Sequence, residues 1–122
     1  MMILNCLAVG LGGFAGSICR YLMGLLPLSP SGGFPVKTLI VNVAGAFLIG
    51  VIAAAASRNT SLDPRLVLLL KAGFCGGFTT FSTFALELTD LMQAGSWFTA
   101  AAYAVLSMIL GVLAVLGGEL VV

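Results

Sequence analysis

Four long apolar runs, separated by short polar breaks, constrain this chain more than any other feature of its sequence. The runs cover residues 3–26, 36–57, 66–92 and 97–120. Each is long enough for a membrane-spanning helix, which takes roughly 20 apolar residues. Only 7% of the 122 residues are charged and 61% are hydrophobic, so the chain cannot cover a folded surface with solvated groups. The sequence therefore predicts an all-α integral membrane protein, a single domain (1–122) with four transmembrane helices.

The same composition excludes several classes of function. The net charge of +1 provides no basic patch for a nucleic acid. With no His and few acids, the chain lacks the parts for metal-activated or Ser-His-Asp catalysis, so we expect no enzyme. Residues 10–15 match a dinucleotide-binding fingerprint, G-x-G-x-x-A, but they lie inside a span without the strand and the acid that should accompany it.

The cationic side chains divide almost evenly between the two membrane sides. Arg58 and Arg65, with Lys71 deeper in its span, lie on the side of the termini, whereas Lys37 and Arg20 lie toward the other side. The numbers of Lys and Arg residues on the two sides are nearly equal, so the positive-inside rule does not determine the orientation of the chain. Either a small protein simply carries few charges, or the chain inserts in both orientations, which would permit an antiparallel homodimer.

Small residues recur at four-residue intervals on the predicted helices. They are Gly12 and Gly16 in the first span, continued by Arg20 and Gly24 at the same interval, then Gly73 and Gly77 in the third span and Ser107 and Gly111 in the fourth. Such bare faces let helix backbones approach closely in lipid. We therefore expect a tight bundle, and since four helices enclose little interior, we also expect an oligomer.

The third run carries the most informative segment, residues 73–84. Three glycines within five residues disfavour a continuous helix, so we predict a break near the middle of this span. A break frees carbonyl oxygens that can coordinate a cation such as sodium, and it exposes a half-helix N-terminus that favours an anion. The alternative is a kink that serves packing alone.

Polar residues within the spans are functional candidates because they are costly in lipid. The candidates are Asn42 in span two, Thr79, Ser82 and Thr83 beside Phe81 and Phe84 in span three, and Tyr103 and Ser107 in span four. Hydroxyls and ring edges can form an anion path, although hydroxyls can also bond back to their own helix and an amide can serve as an interhelical bond. We interpret Arg20 as a structural anchor, and Glu87 as a vestibule carboxylate, a proton carrier or a helix end.

Four motifs together resemble a known family over essentially the full length of the chain. They are Gly12-Gly13-x-x-Gly16 with Arg20-Tyr21; Thr38-Leu39-x-Val41-Asn42-x-x-Gly45; Gly73-Phe74-x-Gly76-Gly77-Phe78-Thr79-Thr80-Phe81-Ser82-Thr83-Phe84 with Glu87; and Tyr103 with Ser107. The family is that of the small bacterial Fluc/CrcB fluoride channels. The resemblance implies passive export of cytoplasmic fluoride across the bacterial inner membrane by an antiparallel, dual-topology homodimer with two pores, which needs no other protein.

The resemblance also implies roles for individual residues. A fluoride pore would be lined by Asn42, Phe81, Phe84, Ser82, Thr83, Tyr103 and Ser107, and a central sodium ion would be held by the backbone carbonyls of Gly76 and Thr79. Arg20 and Glu87 would have vestibule or structural roles. The residues by themselves leave two alternatives open: a proton-coupled multidrug exporter with Glu87 as its carboxylate, and a subunit of a larger membrane complex without a pore of its own.

Overall fold

A computed structural model describes residues 1–30 and 32–122, which fold into helical segments without a strand. The segments are α1 Met2–Gly24, α2 Val36–Arg58, α3 Pro64–Leu68, a π-helical segment Leu69–Cys75, α4 Gly76–Phe78, α5 Phe81–Gln93 and α6 Trp97–Val121. The segments from α3 to α5 form one interrupted span, so four helices are long and apolar enough to cross a membrane. The predicted four-span fold with an interrupted third helix is confirmed. Ser31, in the predicted first loop, lies outside the described residues.

The loop before the third span ends at residues suited to starting a helix. The Asp63 carboxylate accepts a hydrogen bond from the N–H of Arg65 at 2.9 Å, and Pro64 occupies a position whose N–H needs no partner. The link before α6 turns at Gly95, whose φ of +79° lies in the left-handed region that favours glycine. The third span is therefore sharply bounded at its start, and the fourth follows it after a short turn.

Helix α1 lies against the π-helical segment and α4 at backbone contact. A Cβ atom added to Gly12 would lie 2.8 Å from the backbone nitrogen of Phe74, and one added to Gly77 would lie 2.6 Å from a carbonyl oxygen of α1. The predicted close approach of helix backbones at bare faces is confirmed at these positions. Gly24 and Gly111 differ, because an added Cβ would meet no atom within 4 Å. Neither glycine packs against another helix of the described chain, so the bare-face prediction is confirmed for Gly12 and Gly77 and stays a prediction for these two.

Helix α6 packs chiefly along α2, and it also contacts α5. The α2–α6 approach is close because small residues lie at the crossing. A Cβ added to Gly50 would lie 3.0 Å from the carbonyl carbon of Val115, and one added to Gly118 would lie 2.9 Å from the backbone nitrogen of Val51. The bundle thus consists of two tight helix pairs, α1 with the first half of the third span and α2 with α6.

Two arginines bind the chain termini on one membrane side. We call this side, which carries both termini and the loop 59–63, the terminal side. Arg58 donates a hydrogen bond to the carbonyl oxygen of Val122. Arg65 donates through Nε to Oδ1 of Asn5 at 3.2 Å, and its Nη2 lies 3.7 Å from the sulfur of Met1. The side that carries the loops 25–35 and 94–96 is called the opposite side.

Candidate functional site

The third span is interrupted at Thr79 and Thr80, whose backbones are extended (φ −86°, ψ 158° and φ −150°, ψ 121°). The preceding glycine-rich stretch 73–77 is itself helical, first as a π-turn and then as α4. A break near the middle of the span is confirmed, but its placement at the glycines is wrong. The chain leaves the helix where Thr79 directs both its N–H (3.0 Å) and its hydroxyl (2.8 Å) to the carbonyl oxygen of Cys75.

The far edge of the break is held by Thr80 and Asn42. The Thr80 hydroxyl caps α5 by accepting the N–H of Thr83 at 3.1 Å. The Asn42 amide binds the Thr80 backbone twice: Oδ1 accepts the Thr80 N–H at 2.8 Å, and Nδ2 donates to the Thr80 carbonyl oxygen at 3.1 Å. Gly45, one turn further along α2, lets the Thr79 methyl group lie against that helix. Helix α2 therefore fixes the geometry of the break.

Interrupting the helix frees carbonyl oxygens, of which some accept a hydrogen bond from elsewhere in the chain and others do not. Arg20 donates through Nε to the carbonyl oxygen of Gly77 at 3.1 Å, so α1 satisfies one of them. Within residues 1–30 and 32–122, the carbonyl oxygens of Gly76, Phe78 and Thr79 accept no hydrogen bond. Those of Gly76 and Thr79 belong to residues that line a groove on one face of the chain. The two predicted sodium ligands are therefore available for a further partner.

The groove has a volume of about 540 Å³ and runs between α2, the interrupted span and α6. Its apolar wall carries a few polar residues, and the lining includes Asn42, Lys71, Gly76, Thr79, Thr80, Phe81, Phe84 and Ser107. The Ser107 hydroxyl oxygen is buried and has no hydrogen-bond partner among the described residues. We call this feature the central groove. Its polar groups have spare hydrogen-bonding capacity in a mostly apolar setting.

Two phenylalanines line the central groove, and they differ in solvent exposure and in their contacts within the chain. Phe81 is 79% exposed, while the ring centroid of Phe84 lies 4.9 Å from that of the fully buried Tyr103. The centroids of Phe81 and Phe84 are 5.9 Å apart with an interplanar angle of 46°. Phe84 is thus fixed by its own chain, whereas most of the Phe81 ring surface has no neighbour within the chain.

Behind Phe84 lies a hydrogen-bonded carboxylate. Tyr103 donates through its hydroxyl to Oε1 of Glu87 at 2.9 Å, and Thr38 donates to Oε2 at 3.0 Å. The Phe34 ring packs edge-on against Tyr103 with a centroid distance of 5.5 Å. Glu87 is half-buried and also lines a pocket of about 360 Å³ toward the opposite side. The carboxylate therefore has both oxygens bonded while it borders an accessible space.

The structure does not gather every predicted site residue into the central groove. Asn42, Phe81, Phe84 and Ser107 line it together with the two carbonyl residues Gly76 and Thr79. Thr83 and Arg20 instead line a cavity of about 170 Å³ beside α1. Ser82 is exposed, with its hydroxyl 3.4 Å from that of Thr80. Tyr103 lies behind Phe84 instead of lining the groove.

Sequence reasoning missed three residues that matter to this geometry. Thr80 caps a helix, and its position directly before the run that starts at Phe81 was an available signal. Thr38 and Phe34 support Glu87 and Tyr103 from distant parts of the chain. No sequence pattern indicates those two contacts, because they depend on how the helices pack.

Comparison with known proteins gives one family match and several similar proteins that share a name. The profile of a family described as CrcB-like protein, Camphor Resistance (CrcB), matches residues 7–119. A fluoride-specific ion channel FluC of Chlorobaculum tepidum is 46% identical over 120 residues, which cover 98% of this chain and 95% of that relative. The fluoride-specific ion channel FluC 1 of Yersinia pseudotuberculosis is 53% identical over 89 residues, or 73% of this chain and 70% of that relative. A FluC channel of Azobacteroides pseudotrichonymphae is 40% identical over 111 residues, or 90% of this chain and 89% of that relative.

Proposed function

The chain belongs to the CrcB-like family, and from this membership and the geometry of the central groove we propose that it is a fluoride-specific channel. The resemblance stated from the motifs is thereby confirmed. The protein is a multi-pass membrane protein, and we place it in the bacterial inner membrane, where it exports cytoplasmic fluoride passively. A channel makes and breaks no covalent bond in its substrate, so the protein is not an enzyme.

One observation carries the proposal: uncharged hydrogen-bond donors and ring edges line the same groove at the break in the third span. Fluoride is small and strongly hydrated, so a pore must replace its water with donors. The Ser107 hydroxyl has no partner in the described chain, and the Asn42 amide keeps one N–H after binding Thr80. The edges of the Phe81 and Phe84 rings carry positive potential. Several moderate sites in series allow an anion to leave as well as to bind.

The proposed pore needs a second copy of the chain. The central groove is open along one face, and its polar groups cannot remain exposed to hydrocarbon without large cost. A second chain in the opposite orientation would close it and cover the exposed ring of Phe81. The even division of cationic side chains between the membrane sides supports dual insertion. Two antiparallel chains related by a two-fold axis would form two equivalent pores.

A sodium ion fits the proposed dimer centre. The carbonyl oxygens of Gly76 and Thr79 are hard ligands without hydrogen-bond partners in the described chain. No cluster of three or more His, Cys, Asp or Glu residues that could hold a metal occurs in the described ranges, so carbonyls are the available ligands there. One chain supplies too few ligands, but two chains would supply four. The bound cation would lower the electrostatic cost of an anion in the surrounding low dielectric.

The remaining predicted residues have supporting roles in this proposal. Arg20 anchors α1 to the break through the Gly77 carbonyl, in agreement with structural anchoring. Tyr103 orients Glu87 and supports the Phe84 ring, and Glu87 borders the vestibule on the opposite side. Ser82 and Thr83 extend the hydroxylated track along α5, outside the central groove of the single chain. Their contribution to the pore depends on the second chain.

The test is fluoride efflux from liposomes that contain the purified protein, read with a fluoride electrode. We expect rapid efflux that is selective over chloride, from protein that runs as a homodimer. Efflux no faster than from empty liposomes, or equal passage of chloride, would contradict the proposal. Running the assay with sodium and with sodium replaced by N-methylglucamine tests the cation separately, since the proposed site predicts reduced flux without sodium. Proton-coupled export of drugs would instead require a proton gradient.

A further inference from the structure

The chain has five Lys or Arg side chains, and the structure commits four of them to hydrogen bonds within the described residues. Arg20, Lys37 and Arg58 each donate to a backbone carbonyl oxygen, and Arg65 donates to Asn5. The fifth, Lys71, makes neither a hydrogen bond nor an ion pair in residues 1–30 and 32–122, and it is exposed. Its positive charge is therefore not used to hold the fold together.

Lys71 lies in the π-helical segment and lines the central groove, where it is the one charged side chain among the described lining residues. It precedes Gly76 by five residues, about one helical turn, which places it nearer the terminal side. Helical side chains lean toward the helix N-terminus, and here this direction also leads to the terminal side. The Lys71 ammonium therefore belongs to the terminal-side mouth of the groove, away from the polar residues at the break.

We propose that Lys71 attracts fluoride to the terminal-side mouth of the central groove. This inference rests on the proposed channel function and assigns one residue within it. A cleft with a single sign of charge and low-dielectric walls raises the local concentration of counter-ions. Because Lys71 stands outside the polar centre, its charge accelerates access without holding the anion in place. A lysine at such a position can lay its four-carbon stem along apolar surface while its ammonium stays hydrated.

The variants Lys71→Gln and Lys71→Arg test the inference in phosphatidylcholine liposomes, whose surface has no net charge. At low fluoride and low ionic strength, we expect Lys71→Gln to reduce flux between about twofold and about tenfold, the range given by one charge acting across about 10 Å of partly aqueous medium. Lys71→Arg should retain most of the flux. The deficit should disappear at saturating fluoride and shrink in high salt of an impermeant anion, because screening removes a steering effect.

Arg58→Gln is the matched control, since it removes a positive charge from the same membrane side without touching the central groove. Its flux should stay near that of the wild type. Two results overturn the assignment: equal flux for Lys71→Gln and wild type at low fluoride, or a deficit that persists unchanged at saturating fluoride and high salt. The second result would indicate a structural role or contact with lipid. Absence of fluoride flux in the wild type contradicts the channel proposal itself, so the two failures are distinguishable.

Discussion

Replacing Asn42 with Leu should weaken the fold as well as the flux, because the amide holds the backbone of the break. Leu has a similar size but removes both hydrogen bonds to Thr80, at 2.8 and 3.1 Å. A hydrogen bond between membrane helices is worth about 0.6 kcal/mol on average, and a buried peptide group left without a partner costs about 1–3 kcal/mol. Since Thr80 is half-buried, we expect the free energy of unfolding to fall by about 1–4 kcal/mol.

The measurement is equilibrium unfolding in mixed micelles of increasing SDS content, at a fixed protein concentration because the chain is proposed to dimerise. Ser107→Ala is the matched control. Its hydroxyl lines the same groove but has no partner among the described residues, so its removal should leave the unfolding free energy within about 0.5 kcal/mol of the wild type. Fluoride flux should fall in both variants, since each loses a donor.

The reasoning is refuted if Asn42→Leu unfolds within about 0.5 kcal/mol of the wild type. That result would mean that Asn42 serves the anion path alone and that the break is held by other contacts. A Ser107→Ala variant with unchanged flux would instead remove Ser107 from the path. The two variants therefore separate the role of the groove in folding from its role in conduction.

Three further predictions follow from the packing. The double substitution Phe81→Ile and Phe84→Ile should abolish fluoride flux while a dimer still forms, measured by liposome efflux and size-exclusion chromatography; normal conduction by this variant would contradict the role of the ring edges. Gly12→Ala should lower the free energy of unfolding by about 1–3 kcal/mol through overpacking against Phe74. Gly10→Ala, with no atom within 4 Å of the added Cβ, should instead stabilise α1 by up to about 1 kcal/mol. Equal effects of the two variants in SDS unfolding would show that α1 does not lie as close to the third span as described. Tyr103→Phe keeps the ring but loses the hydrogen bond to Glu87 at 2.9 Å, so the free energy of unfolding should fall by about 1–3 kcal/mol. An unchanged free energy of unfolding would show that this bond does not contribute to stability.

Much of the candidate site follows from sequence because its residues belong to local patterns. Asn42, Phe81 and Phe84 stand out as polar or aromatic residues at helical spacing within apolar runs, and the structure brings all three to one groove. Thr83 stands out in the same way but lies beside α1, in another cavity. The helical period fixes which residues share a face of one helix, whereas the neighbour of that face depends on packing. A pattern within one span therefore cannot assign a residue to a particular cavity.

The placement of the break shows a second limit. Glycine composition indicates a weak helix at 73–77, yet this stretch remains helical because its bare surface packs against α1, with an added Cβ on Gly73 only 2.8 Å from the Val9 carbonyl oxygen. The helix ends instead at Thr79 and Thr80, where side chains and the distant Asn42 replace the backbone hydrogen bonds. Tertiary contacts that satisfy part of the broken backbone therefore outweigh the local helix propensity.

The sequence by itself determined the solvent, the number of spans and the family, since each depends on composition or on motifs within one segment. Only the tertiary structure decided which groups satisfy the broken helix. Asn42 is hydrogen-bonded to Thr80, 38 positions away in the sequence, and Arg20 is hydrogen-bonded to Gly77, 57 positions away. The periodicity of a helix or strand does not predict contacts between residues so far apart. These contacts leave the carbonyls of Gly76 and Thr79 without partners in the described chain. The physical reason is that each freed backbone group in lipid must find a partner, and packing alone determines which partner is within reach.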